Sequence, residues 1–135
     1  MLEWFRIADM DLSYAAHGYS LHPVPLELMC FHCQQAAEKY LKAYLLSNDS
    51  EPPKIHDLLR LNRMCMEYDE RFLQLEKLCG FLTLYGIQPR YPRYIQIDEN
   101  IMRLCLKYAG QVKDFTLIAE LREAAQRALE SETEE

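Results

Sequence analysis

Apolar residues recur at three- and four-residue spacing along most of the chain, and no segment alternates strictly between apolar and polar. This pattern predicts helices and no strands. The first helix is expected from Leu2 to His17, on Leu2, Phe5, Ile7, Ala8, Leu12, Ala15 and Ala16, with Gly18 just past its end. The second starts at Pro25 or Leu26 and stops before Asn48 and Asp49. It has the clearest apolar stripe: Leu26, Met29, Cys30, Cys33, Ala37, Tyr40, Leu41 and Tyr44. A third follows Asp57 as N-cap and carries Leu58, Leu61, Cys65 and Tyr68.

A fourth helix is expected over Glu70 to Tyr85, with Phe72, Leu75, Leu78, Cys79 and Leu82 turned inward. Gly80 inside it costs about 1 kcal/mol relative to alanine, which suggests close helix packing there. A fifth begins at the cap Asp98, carries Ile101, Leu104, Tyr108 and Val112, and continues, with or without a break, through Phe115, Ile118, Leu121 and Leu129. Proline pairs at Pro23 and Pro25, Pro52 and Pro53, and Pro89 and Pro92 separate these pieces. The expected fold is all-α, an up-and-down bundle of four to five helices over residues 1–129, followed by an acidic tail at 130–135.

A chain of 135 residues fits one domain and is long enough to bury its own core. The net charge is −6, but four glutamates in the last six positions account for most of it and leave −2 on the body. No strongly basic footprint for nucleic acid is present. Five cysteines, Cys30, Cys33, Cys65, Cys79 and Cys105, cannot all pair within one chain. The N-terminus lacks a signal-peptide pattern, and no apolar run is long enough to cross a membrane. A cytoplasmic protein with reduced thiols acting as small buried hydrophobes is the expectation.

Four places invite a chemical reading. On the second helix, His32, Gln35, Lys39 and Lys42 fall within about an 80° sector opposite the apolar stripe. An imidazole, an amide and two ammonium groups suit a phosphate or a base edge, and equally make an ordinary solvated face. Cys30, His32 and Cys33 suggest a metal, yet His32 leaves the face the thiols share and nothing completes a ligand set; no metal and no cofactor are expected. His56, beside Lys54 and just before the Asp57 cap, is either a polar neighbour of that cap or part of a cleft. The segment from Tyr85 to Tyr94 interleaves Arg90 and Arg93 with Tyr91 and Tyr94 and holds no acid. Arginine and tyrosine together suit a nucleotide, by charge-assisted hydrogen bonds and stacking. No nucleophile triad, phosphate-binding glycine loop or dinucleotide motif is present, so no catalytic residue is assigned.

The run from Phe31 to Leu45, with Gln35-Ala36-Ala37-Glu38-Lys39 at its centre, resembles the signature helix of the HEPN family, the higher eukaryotes and prokaryotes nucleotide-binding domain. Lys54-Ile55-His56-Asp57-Leu58, then Tyr85, then Arg90-Tyr91-Pro92 follow in the family's order, and Ala8 to Leu12 is similar to its first helix. The resemblance implies a helical bundle, commonly a homodimer, with a nucleotide-binding role. It also implies a minimal nucleotidyltransferase as partner in a toxin–antitoxin-like pair. Some members are metal-independent ribonucleases that use Arg-x(4–6)-His. No arginine here has a histidine at that spacing, which points to the non-catalytic branch and leaves RNA the less favoured ligand. The expected site for a nucleotide or other polyanion is His32, Gln35, Lys39, Lys42, His56, Arg90, Tyr91 and Arg93.

Overall fold

A computed structural model describes residues 1–86 and 96–134. Among these residues six α-helices follow one another: α1 (Leu2–His17), α2 (Leu26–Ser47), α3 (Leu58–Met66), α4 (Glu76–Tyr85), α5 (Glu99–Asp114) and α6 (Thr116–Glu134). They form an all-α bundle, with no strand among the described residues. Helix α2 lies at the centre and packs against the other five.

The count exceeds the expected four or five because the last helix breaks. Phe115 leaves the helical region at φ −57°, ψ 133°, so α5 and α6 are separate. Its ring packs edge-on to Phe72 at 5.1 Å, and Phe72 in turn meets Tyr44 of α2 at 4.5 Å. The expected fourth helix also loses its first turns: Glu70–Leu75 is a 3-10 segment, and α4 starts only at Glu76. Tyr68 lies beyond the end of α3 and is exposed.

Side-chain caps mark the starts of α3 and α5. The Asp57 carboxylate accepts from the Leu59 and Arg60 amides, and Asp98 accepts from the Ile101 amide at 2.8 Å. Such caps satisfy amides that the first helical turn leaves without partners. Gly18 does follow α1, but in a right-handed conformation (φ −56°) rather than the left-handed one that favours glycine. Its reason is space: a Cβ there would fall 2.4 Å from the Met29 side chain. Gly80 is the reverse case, since a Cβ would meet nothing closer than 3.8 Å, so no close helix contact demands it.

The core is one cluster drawn from every helix. On α2, Met29, Cys30, Cys33, Ala37, Tyr40 and Leu41 of the expected stripe are fully buried. Ala36, Ala43 and Leu45 are buried as well, and so are three polar residues, Gln34, Glu38 and Lys42. A helix surrounded by five others has little surface to give to water.

Candidate functional site

The polar residues of α2 sort into two groups on different flanks, each organised by one carboxylate. On the α1 side, Asp11 is nearly buried. One of its oxygens meets His32 Nδ1 at 3.1 Å and the other accepts from the Lys39 ammonium. Asp11 reaches this place because it stands three residues after Ala8 and four before Ala15, both fully buried positions of α1. Because a carboxylate only accepts, Nδ1 of His32 must carry the proton, leaving Nε2 as the acceptor in the neutral ring.

On the α3 side, Glu38 is the organiser, with its side chain only 5% exposed. One oxygen accepts from Lys42 Nζ at 3.2 Å, and Lys42 is itself 8% exposed. The other oxygen meets His56 Nδ1 at 2.9 Å. Gln34 Nε2 donates to the His56 carbonyl at 2.8 Å, and Gln35 donates to the Gln34 side chain at 2.9 Å. The imidazole of His56 is 75% exposed, so Glu38 holds by one nitrogen a ring that otherwise faces water. His56 precedes the Asp57 cap and projects from the surface as an oriented imidazole, and none of the cavities described is lined by it.

The sector expected opposite the core is therefore not a single solvated face. Lys42 is buried because α3 and α4 also pack on α2. His32 and Lys39 belong to Asp11, while Lys42 and His56 belong to Glu38. Among the described residues Gln35 is bonded only to its neighbour Gln34. Each lysine ammonium is neutralised by a carboxylate beside it, so neither stands as a spare cation. Arg90, Tyr91 and Arg93, with Tyr94, lie outside the described residues.

A third organiser, Asp9, fastens α6. Arg122 donates to both of its oxygens at 2.8 Å, and the Tyr40 hydroxyl donates at 2.5 Å. The guanidinium also sits 4.7 Å above the Phe5 ring. Burial pushes the Asp9 carboxyl up, but the Arg122 and Tyr40 hydrogen bonds outweigh it and hold the group below the usual carboxylate range.

Sequence reasoning assigned no role to Asp9, Asp11, Gln34, Glu38 or Arg122. For Asp11 the signal was periodicity, since its helical neighbours at three and four residues, Ile7, Ala8, Tyr14 and Ala15, are apolar; Glu38 carried no such signal, because Gln34, Gln35 and Lys42 stand at that spacing. A charge at such a position predicts a buried ion pair. All five cysteines are free and buried, in keeping with thiols that fill the core.

A family model described as HEPN domain matches residues 1–121. Comparisons with curated proteins and with solved structures return no match.

Proposed function

The chain belongs to the HEPN domain family, and from that premise we propose that it binds a nucleotide or other polyanion on the α3 side of α2. The observation that carries this reading is the contact between Gly86 and Gln34. A Cβ on Gly86 would fall 2.3 Å from Gln34 Cβ, so the chain leaves α4 pressed against Gln34, whose amide bonds the His56 carbonyl. Arg90, Tyr91 and Arg93 follow only four to seven residues later. Because Lys39 and Lys42 are already paired, these arginines are the cations that the anion requires. His56 and Gln35 add an imidazole and an amide.

The reading extends to a non-catalytic, dimeric, cytoplasmic protein that partners a minimal nucleotidyltransferase in a toxin–antitoxin-like pair. Its support is the family and the missing Arg-x(4–6)-His. Titration calorimetry with ATP tests the site on wild type and on a His56→Ala, Arg90→Ala double variant; the His56 side chain is largely exposed. At least tenfold weaker binding in the variant is expected. Equal affinity, or no binding at millimolar ATP, would reject the site. Light scattering at micromolar concentration is expected to give twice the 16.0 kDa chain mass.

One observation favours a second reading, a metal-independent ribonuclease: a carboxylate-held, outward-facing imidazole is the form a general base takes. Cleavage of a structured RNA by pure protein, lost in His56→Ala, would put that reading first.

A further inference from the structure

Three of the large apolar side chains exposed on this protein gather around one cleft. Tyr14 of α1, Leu21 of the α1–α2 connection and Leu28 of α2 are each about half exposed. They line a concavity of about 260 Å³, with Met29 and the rings of His17 and His32 completing its wall. Gly18 belongs to the same wall, and its lack of a side chain is what lets the connection close on Met29. Exposed apolar side chains scattered singly are ordinary, whereas several around one concavity mark a binding surface.

The chemistry of the wall narrows the ligand. Among the described residues no lysine or arginine lines the cleft, so none of them offers an anion a fixed countercharge there. The volume falls below the range for drug-sized ligands and suits one ring or a fused pair. Tyr14 and His32 meet edge to face at 5.9 Å, which leaves aromatic surface for a planar guest. Asp11 engages Nδ1 of His32, so in the neutral ring Nε2 is a hydrogen-bond acceptor, and it has no partner among the described residues. The Tyr14 hydroxyl likewise has no partner among them and offers a donor. A complementary ring must present a donor and an acceptor on separate atoms of one edge.

We propose that this cleft binds an uncharged nitrogen heterocycle carrying an exocyclic amino group, the class that includes the adenine and cytosine bases. The amino N–H donates to His32 Nε2, and a ring nitrogen accepts from the Tyr14 hydroxyl. Leu21, Leu28 and Met29 cover the faces of the ring. The site lies on the α1 side of α2 and needs no phosphate. It therefore goes beyond the anion reading and stands or falls separately from it.

Adenosine, which has no phosphate, is the probe. The test follows the His32 ring resonances by NMR in wild type and in Leu28→Asp, a change at an exposed position that leaves the core intact. Saturable shifts of His32 with adenosine, lost in Leu28→Asp, are expected. Purine riboside lacks the amino group and is expected to bind roughly five- to tenfold more weakly, the effect of one missing hydrogen bond. Equal binding of the two nucleosides, or unchanged adenosine binding in Leu28→Asp, would overturn the proposal. So would the absence of any shift at millimolar adenosine, and that result leaves ATP binding dependent on Arg90 untouched. Stronger binding of indole or phenol than of adenosine would overturn it in favour of an aromatic side chain from a partner protein.

Discussion

Glu38 serves Lys42 and His56 with its two oxygens, and the two partners stand in different surroundings. His56 faces water and loses little if the carboxylate is removed. Lys42 is buried, and without Glu38 its ammonium has no countercharge. Breaking a buried pair by removing one partner costs about 3–5 kcal/mol, whereas replacing both with apolar residues of similar volume is often neutral. Glu38→Met is therefore expected to lower unfolding stability in urea by about that amount, and Glu38→Met combined with Lys42→Met to recover most of it. If the double variant is as unstable as the single, the pair is not the reason for the loss. Asp9 allows a test by pH. Its carboxyl titrates lower in the folded protein than in the unfolded chain, so its contribution is fully present above the unfolded pKa of about 3.9. That contribution is lost as pH falls through the lower folded value. Wild type is expected to be more stable than Asp9→Asn at pH 6, with the gap closing below about pH 4.

Among the elements, the glycines separate by what a methyl group would meet. Gly110 of α5 has nothing within 4 Å of a built Cβ, and Gly80 of α4 has only an ordinary contact with Leu59. Alanine at either position restricts the unfolded chain without strain and is expected to stabilise by about 0.5–1 kcal/mol. At Gly86 the added Cβ would fall 2.7 Å from the Leu82 carbonyl as well as onto Gln34. Gly86→Ala is expected to cost about 1–3 kcal/mol by overpacking, and to weaken ATP binding if the anion site begins there. Thermal unfolding of the three variants checks the order. The element boundaries were legible because caps and breakers act locally: Asp57, Asp98 and Gly18 each stand where a helix starts or ends. The 3-10 form of Glu70–Leu75 was not legible. Its apolar spacing is helical, and the packing of Phe72 between Tyr44 and Phe115 is a tertiary matter.

Over the whole molecule, all five thiols are buried, and only Cys30, through its hydrogen bond with Cys105, is held below the usual thiol range. Burial pushes the thiols of Cys33 and Cys65 well above the ordinary range and that of Cys79 up to about 12. The thiolate is the reactive form, so an aromatic disulfide reagent at pH 8 is expected to label the native protein slowly. In denaturant it is expected to label five thiols per chain at once. Fast labelling of the native protein would mean that the bundle opens readily. A second consequence of the packing is the division of labour around α2. One flank carries the Asp11 group and the ring cleft, and the other carries the Glu38 group and His56.

Helix content, the main breaks, the caps and the family followed from the order of residues alone, because each depends on spacing within a few residues or on short motifs in sequence. Which charges pair did not follow. On a helical wheel His32, Gln35, Lys39 and Lys42 share one sector, and the wheel carries no information about what packs against it. Only the assembled bundle puts Asp11 of α1 against His32 and Lys39, and brings the α3 approach to Glu38. The same assembly buries Lys42, because a central helix meets neighbours on nearly every side. The partners of these groups lie 18 to 28 residues away along the chain, except for Lys42, four residues from Glu38. Local pattern does not reach across such distances, and packing does.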